Sequence, residues 1–380
     1  MADYLFTLGR QPEISRAEIK ALFAQKKAKY TLKMLDNTSA RLNTAGLDAA
    51  DLIRILGGTI KISAAIPIQK NPPETIVRHL RSAQPEGKIV FSLRAPDGKK
   101  ITQQIKKELK KNGRGARYVE IKNTASILHN RLVKKQGDFT IVDGRLFVTR
   151  AVQPIEEFSR LDFDRPASDA KSGMLPPKLA RIMLNLAQID ATAVILDPFC
   201  GSGTILMQAA AMGFTNLIGA DISKKAVQDT QTNLEWQAMG RKINYRLMVA
   251  AAGQLDKTLK KNTIDAIVSE PYLGVSLRGR ENKVYLMAQS RKLGELYADA
   301  FQTFHKILKP NGVVIFIIPA FKFNQEWINI DCLENIEKIG FQIEPLSDVA
   351  PCLRYWRPGQ KLARQIWRFR KVHLKNLSTN

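Results

Sequence analysis

Apolar and polar positions along the chain fall into two rhythms. Short alternating or wholly apolar runs predict strands, and apolar residues three and four apart predict helices, because side chains alternate on a strand and repeat every 3.6 residues on a helix. Tyr4 to Leu8 is a short apolar strand. Ser15, with Glu18 three residues on, opens a helix through Phe23 in the manner of a capping box. Arg41 to Thr44 predicts a second strand, Leu47 to Leu56 a helix stopped by Gly57 and Gly58, and Ile60 to Ile68 a third strand. Residues 1–70 are therefore expected to form a small α/β domain of ferredoxin-like type.

Residues 71–152 read as a second α/β unit. Helices are predicted from Asn71 to Leu80, Ile101 to Leu109 and Ser126 to Val133, with strands at Lys88 to Leu93 and near Val119 to Ile121. Phe139 to Val142 and Arg145 to Thr149 flank Asp143-Gly144, a strong hairpin signal. Residues 153–175 show no clear period and read as a linker. From 176 to 375 helices alternate with apolar strands: Leu179 to Leu186 helix, Val194 to Leu196 strand, Thr204 to Met212 helix, Leu217 to Ala220 strand, Lys224 to Met239 helix. Ile264 to Val268 strand, Leu293 to Leu308 helix, Val313 to Ile318 strand, Cys332 to Ile339 helix and Ile366 to Arg370 strand follow. Such alternation implies a doubly wound sheet with helices on both faces.

Composition narrows the class. With 44% hydrophobic and 25% charged residues the 380-residue chain can bury cores, which excludes disorder. The longest apolar run, Gly312 to Pro319, falls far short of the ~20 residues of a membrane span. The start, MADYLFTLGRQPE, lacks the basic-then-apolar profile of a signal peptide. Three scattered cysteines without a CxxC pair indicate neither a disulfide framework nor a zinc site, so no metal is expected and a reducing cytoplasm is. The net charge of +24 narrows the function classes furthest. Residues 70–150 alone hold 19 basic against 7 acidic residues. A surplus so concentrated attracts polyanions, nucleic acid first and an acidic membrane surface second. Lys106, Lys107, Lys110, Lys111, Arg114, Arg117 and Arg131 are the candidate RNA-binding cations, on helix faces and in loops.

The strongest local signal is the apolar strand Val194 to Leu196 running into Asp197-Pro198-Phe199-Cys200-Gly201-Ser202-Gly203-Thr204 and a helix. Such a turn sets helix N-terminal amides and open backbone at the carboxyl edge of a sheet, where α/β folds bind ligands. Asp221 closes the next strand about 20 residues on, where an acidic residue can accept both hydroxyls of a ribose. The turn lacks the third glycine of a dinucleotide fingerprint and the Gly-Lys-Ser/Thr of a P-loop. An Asp ahead of the glycines suits a cationic amino-acid ligand better than a pyrophosphate.

On these residues the chain resembles the THUMP-domain tRNA guanosine-10 N2-methyltransferase family of class I S-adenosylmethionine-dependent RNA methylases. Tyr4 to Phe23, Arg165-Pro166 through Gly173 to Ala180, and Arg357 to Gln360 carry the resemblance over nearly the whole chain. It implies a THUMP-like RNA-binding domain in the basic middle unit and S-adenosylmethionine as cofactor. It implies cofactor contacts from Asp197, Pro198, Phe199, Gly201, Gly203, Thr204 and Ile222, ribose binding by Asp221, and closure of the Gly173 to Pro177 loop, with Met174, over the methionine end. The expected partner is tRNA, without membrane; a monomer is expected, and some members of that family need a small activating partner subunit.

Ser269-Glu270-Pro271-Tyr272 ends the strand after Asp265, where the resembled family holds an Asp/Asn/Ser-Pro-Pro-Tyr/Phe sequence that acts on exocyclic amines. An amine conjugated into a base is a poor nucleophile, so oxygens that accept its hydrogens raise the electron density on nitrogen. An aromatic ring stacks on the extruded base and holds it in line with the methyl. Ser269 is expected to supply the side-chain acceptor, the Glu270 carbonyl the second, and Tyr272 the ring. Glu270 replaces the usual first proline, and Val249 to Gly253 offers alanines where many members carry an Asp. The resulting expectation is methyl transfer to N2 of a guanosine in tRNA. The alternatives are an RNA-binding protein that kept the fold without turnover, or an N2-guanosine methyltransferase acting on rRNA; N6-adenine in DNA is disfavoured by the THUMP-like half. Tyr355 to Arg357 and Trp367 to Arg370 read as paired core strands or as a surface that stacks on RNA.

Overall fold

The computed structural model describes residues 2–167, 174–240 and 242–372. Two compact units are present, Met1–Arg16 with Lys26–Phe158, and Ala17–Gln25 with Ser159–Asn380.

The first part of the chain runs β1 (Ala2–Leu8), α1 (Pro12–Gln25), β2 (Tyr30–Asp36), β3 (Ser39–Thr44), α2 (Ala49–Ile55), β4 (Thr59–Ile66), α3 (Pro72–Ala83), β5 (Ile89–Arg94), α4 (Gly98–Lys111), β6 (Ala116–Tyr118), α5 (Thr124–His129), β7 (Asp138–Val142) and β8 (Arg145–Val152). Its strands form one sheet in the order β2-β3-β1-β4-β8-β7-β5-β6. Strands from either side of residue 70 meet in the antiparallel pair β4–β8, where Ile62 faces Ala151 and Ala64 faces Val148. The hairpin between β7 and β8 turns on Asp143 and Gly144 at φ 51° and 67°, the mirror-image turn that matches strand twist. β2, which the sequence reading did not include, alternates half-buried Tyr30, Leu32 and Met34 with exposed Thr31 and Lys33 and forms an edge of the sheet.

A buried polar network crosses the middle of this sheet. Lys61 Nζ on β4 donates to Asp138 Oδ2 on β7 at 2.8 Å, and Ser92 Oγ on β5 donates to Asp138 Oδ1 at 2.6 Å. Thr149 on β8 donates to Asp138 Oδ2 at 2.5 Å and lies 3.1 Å from Ser63 Oγ. The carboxylate thus has partners on three strands, which is what lets a charge sit in a sheet core.

The second unit follows α6 (Ile155–Phe163), a helix in the stretch where no period was evident, with Phe158 and Leu161 buried. Then come α7 (Pro177–Ala187), β9 (Val194–Asp197), α8 (Thr204–Ala211), β10 (Asn216–Asp221), α9 (Lys224–Ala238), β11 (Tyr245–Val249), β12 (Ile264–Ser269), α10 (Lys283–Ile307), β13 (Leu308–Phe323), β14 (Glu326–Asn329), α11 (Leu333–Ile339), β15 (Phe341–Ile343), β16 (Leu353–Tyr355) and β17 (Leu362–Lys371). The sheet order is β11-β10-β9-β12-β13-β17-β15, with β14 added to β13 and β16 to β17. β9 to β13 run parallel, and β17 lies antiparallel to β13. The chain leaves β9 in one direction to β10 and returns on the other side at β12, so a topological switch point lies between β9 and β12. Phe301 of α10 anchors the core, with ring centroids 5.1–5.2 Å from Phe304, Phe316, Phe341 and Phe369.

Replacing Asp138 with Ala leaves the Lys61 ammonium buried without its counter-ion. The expected destabilisation is ~3–5 kcal/mol, read by denaturant unfolding, and much of it is expected to return in the Lys61→Met, Asp138→Leu double variant.

Candidate active site

β9 and β12 lie side by side at the switch point, and the turns that follow them open on one cavity of ≈ 1460 Å³. β9 ends at Asp197, and residues 198–203 turn into α8. Gly201 (φ 52°) has open space where a side chain would begin, so its backbone faces the cavity bare. Gly203 (φ 87°) has a different need: a Cβ there would meet Thr230 Cγ2 at 3.0 Å. Thr230 Oγ1 also donates to the Gly201 carbonyl at 2.7 Å, so α9 clamps the turn. At the end of β10, Asp221 accepts from the amides of Gly201 at 3.0 Å and Ser223 at 2.9 Å. Arg165 steadies the start of α8, donating to Thr204 Oγ1 at 2.8 Å and to Met174 Sδ.

Of the residues expected at a cofactor, Met174, Asp197, Pro198, Phe199, Gly201, Thr204, Asp221 and Ile222 line the cavity, and Gly203 does not. Gly173 of the expected closing loop lies outside the described residues. Ala251 and Ala252, where an Asp is common in the resembled family, are also in the lining. Asp197 is 2% exposed and accepts from Phe199 N at 3.2 Å and Ser269 Oγ at 2.6 Å. Burial pushes its carboxyl up to about 7 against these hydrogen bonds, with the nearby Asp221 and Glu270 charges adding to the rise. Burial also pushes the Cys200 thiol up, so it stays protonated and unreactive.

On the β12 side, Glu270, Pro271 and Tyr272 line the cavity. Ser269 does not. It is wholly buried and gives its hydroxyl proton to Asp197, so the acceptor expected to face the amine is turned into the sheet edge instead. Tyr272 is 55% exposed, its ring open to the cavity mouth. Its carbonyl accepts from the buried Tyr297 hydroxyl at 2.7 Å, and Gln289 Oε1 accepts from Val275 N at 2.9 Å. α10 therefore fixes the turn after β12 at two points. Glu270 accepts from Arg364 Nε of β17 at 2.5 Å, with both side chains 12% exposed. Burial raises the Glu270 carboxyl and Arg364 opposes that rise. Tyr297, Gln289 and Arg364 carried no motif, and only their contacts reveal them.

The expected RNA-binding cations are divided by their partners. Lys106, Lys107, Lys110 and Lys111 stand exposed on α4, Lys106 over the Tyr118 ring at 5.8 Å and Lys111 3.4 Å from Glu108. Arg117 is exposed and donates to Asn130 Oδ1 at 2.8 Å, and Arg131 is exposed at φ 53°. Arg114 instead donates to the carbonyls of Gln84, Pro85 and Gly87, all at 2.8 Å, which holds a turn. The C-terminal aromatics divide as well. Trp367 and Phe369 are core, and Arg368 is buried between Glu344 and the Leu186 carbonyl, whereas Tyr355 and Trp356 are half-buried. Among the described residues no cluster of His, Cys, Asp or Glu could hold a metal ion, and no helix is long and apolar enough to cross a membrane.

Comparison with known proteins agrees with this geometry. The family described as "RMKL-like, methyltransferase domain" matches residues 167–339, and one described as "DNA methylase" matches residues 100–232. A protein of Methanothermococcus thermolithotrophicus named "Probable tRNA (guanine(10)-N2)-dimethyltransferase" is 30% identical over 142 residues, covering 37% of this chain and 78% of that one. The chain belongs to the RMKL-like, THUMP-type methyltransferase family. The "tRNA (guanine(10)-N2)-dimethyltransferase" of Methanothermobacter thermautotrophicus is 32% identical over 149 residues, 39% of this methyltransferase-family chain. That match spans 40% of the relative's own length. In fold, the crystal structure of TrmN from Thermus thermophilus covers 97% of this chain and 100% of its own, with a TM-score of 0.52 at 16% identity.

Glu270, where the resembled family usually holds a proline, is paired with Arg364. Arg364→Met leaves the Glu270 carboxylate without its cation, for an expected loss of ~3–5 kcal/mol at pH 8. The loss should shrink at pH 5, because a carboxyl whose folded pKa is raised is more easily carried in its neutral form as pH falls. Thermal unfolding of Arg364→Met at the two pH values, beside Glu270→Gln, Arg364→Met, checks this.

Proposed function

We propose that the chain transfers the methyl group of S-adenosylmethionine to the exocyclic N2 amine of a guanosine in tRNA, in the cytoplasm and as a monomer. One observation carries the reading: one cavity at the switch point gathers the carboxylates of Asp197, Asp221 and Glu270, an open glycine turn and the exposed ring of Tyr272. The cofactor carries a sulfonium and an ammonium, and a cavity edged by Asp197, Asp221 and Glu270 suits two cations. Gly201 leaves the backbone open for close approach, Asp221 ends the strand where a ribose would be held, and Ala251 and Ala252 offer apolar surface to a purine. The names of the relatives favour guanosine N2, and the exposed lysines of α4 favour an RNA polyanion held by its phosphates.

S-adenosylmethionine supplies a methyl on sulfur, whose C–S bond breaks as the new N–C bond forms. The chain's own part is to present the amine. Tyr272 stacks on the extruded base, its loop held by Tyr297 and Gln289. The Glu270 carbonyl accepts an amine hydrogen, and the Glu270 carboxylate, steadied by Arg364, takes the proton that the methylated nitrogen sheds. Ser269 acts through Asp197, fixing the carboxylate that faces the cationic cofactor.

The reading is tested by transfer of labelled methyl to unmodified tRNA transcripts, with nucleoside analysis. N2-methylguanosine is expected; label in adenosine, or no label from protein that binds the cofactor, would overturn it. Tyr272→Ala should lower kcat/KM by about 10–100-fold, the worth of one stacked base, while cofactor affinity stays within about twofold. The raised pKa of Asp197 sets the pH dependence. A cationic ligand prefers the ionised carboxylate, so cofactor affinity should weaken as pH falls below about 7, by up to roughly tenfold per unit, and level off above it. Calorimetric titration across pH 5.5–8.5 checks this, and Asp197→Asn should flatten the profile.

A further inference from the structure

Beside the cavity, at the carboxyl end of β13, lies a cluster that the reaction above does not use. Lys322 stands opposite Trp327 in the β13–β14 ladder. Its ammonium lies 4.7 Å from the Trp356 ring centre and 5.9 Å from that of Trp327, and the two indoles meet edge-to-face at 5.7 Å. The Arg354 guanidinium covers Trp327 at 5.1 Å, and Arg357 lies 5.6 Å from the Tyr355 ring centre and donates to its hydroxyl at 2.7 Å. Arg354 and Arg357 are exposed, the indoles half-buried. Among the described residues none of Lys322, Arg354 and Arg357 is ion-paired, which is unusual for three adjacent cations unless the counter-charge comes from outside.

The cluster adjoins the cavity through two short links. Tyr355 pairs in register with Arg364, the cation on Glu270. Lys322 N donates to the Lys361 carbonyl at 2.8 Å, and Lys361 packs on Gly279, between the cavity-lining Arg278 and Arg280.

Resting on the proposed reading, we infer that this cluster is a stacking platform for a single-stranded stretch of the RNA next to the target nucleotide. The chemistry matches one occupant. A flipped base breaks the stack on either side of it, and the freed neighbours need π-surfaces and cations at the pocket mouth. Exposed guanidinium groups 5.1 and 5.6 Å from aromatic ring centres can stack on a base and donate to phosphates. A protein partner would need a wider apolar face than the half-buried indoles leave open.

The test uses the full-length protein and a fluorescently labelled unmodified tRNA transcript, with Kd measured over a range of salt. Arg354→Glu, Arg357→Glu should weaken binding at least tenfold and make the salt slope shallower by about one to two units, for one or two lost phosphate contacts. Trp356→Leu should weaken it about fivefold or more with little change in slope, since stacking releases no counter-ions. Arg354→Lys, Arg357→Lys should keep the slope. Cofactor affinity and Tm serve as controls for folding. Ultraviolet cross-linking of the wild type should place RNA on the peptide containing Trp327 or Trp356. RNA affinity within twofold of wild type in the charge-reversed variant, with the same slope, overturns the platform, as does cross-linking that leaves both peptides unmodified. Because these measurements read binding, they decide the platform even if no methyl is transferred.

Discussion

The hydrogen bond of 2.6 Å from Ser269 to Asp197 joins the ends of the two strands between which the sheet reverses its winding. Both residues are almost wholly buried, so the bond works in a dry setting where it is strong and where breaking it would strand a carboxylate. It is also the only direct side-chain tie in the described site between the turn after β9 and the turn after β12. Both turns line the cavity. Thr230 and Asp221 brace the first, and Tyr297, Gln289 and Arg364 brace the second. A serine that seemed suited to touch substrate is thereby the linchpin of the frame.

Charge is sorted by depth. The cavity holds Asp197, Asp221 and Glu270, while the cations stand around it on exposed surface, Arg278 and Arg280 at the mouth and Arg354 and Arg357 beyond. That sorting resolves an apparent conflict, since a chain of net charge +24 is a poor host for a cationic small molecule if its charge is spread evenly. Carboxylates in a partly desolvated pocket dominate the field felt inside it, and screened surface cations dominate the field felt by a polyanion outside. The raised Asp197 carboxyl follows first from its burial at the floor of that recess, and the neighbouring Asp221 and Glu270 charges add to the rise.

The doubly wound half was legible because its buried parallel strands are continuous apolar runs and its turn after β9 has few sequence solutions. The parts that escaped share a physical cause. β11 and β14 to β16 are short and half-exposed, so no run marks them. α10 begins ten residues before its expected start, capped by Asn282, since Val284, Tyr285 and Met287 are exposed and blur the helical face. The joining of residues on both sides of 70 into one sheet depends on the pairing of β4 with β8, about 85 residues apart, and nothing local announces it. In the site, residues close in sequence to a turn were found by motif. Arg364, 94 residues from its partner, and Tyr297, 25 from its own, were not. Ser269 was found and its direction was not, because a motif names a residue without saying which way a strand end turns its side chain.

Glu270 shows how a departure from a pattern can be absorbed by the fold. A proline in that place would stiffen the turn through its fixed φ and bring no charge. A glutamate leaves φ free and adds a buried carboxylate, which is costly unless it is paired. Arg364 offsets both, since one ion pair neutralises the charge and ties the turn to β17 as the ring would have stiffened it. The register that sets Arg364 opposite Pro319 on one side and Tyr355 on the other makes that tie continuous with the aromatic and cationic cluster on β14 and β16. The turn that carries Glu270 is thus tied, through a single guanidinium, to the strands that carry the aromatic and cationic cluster.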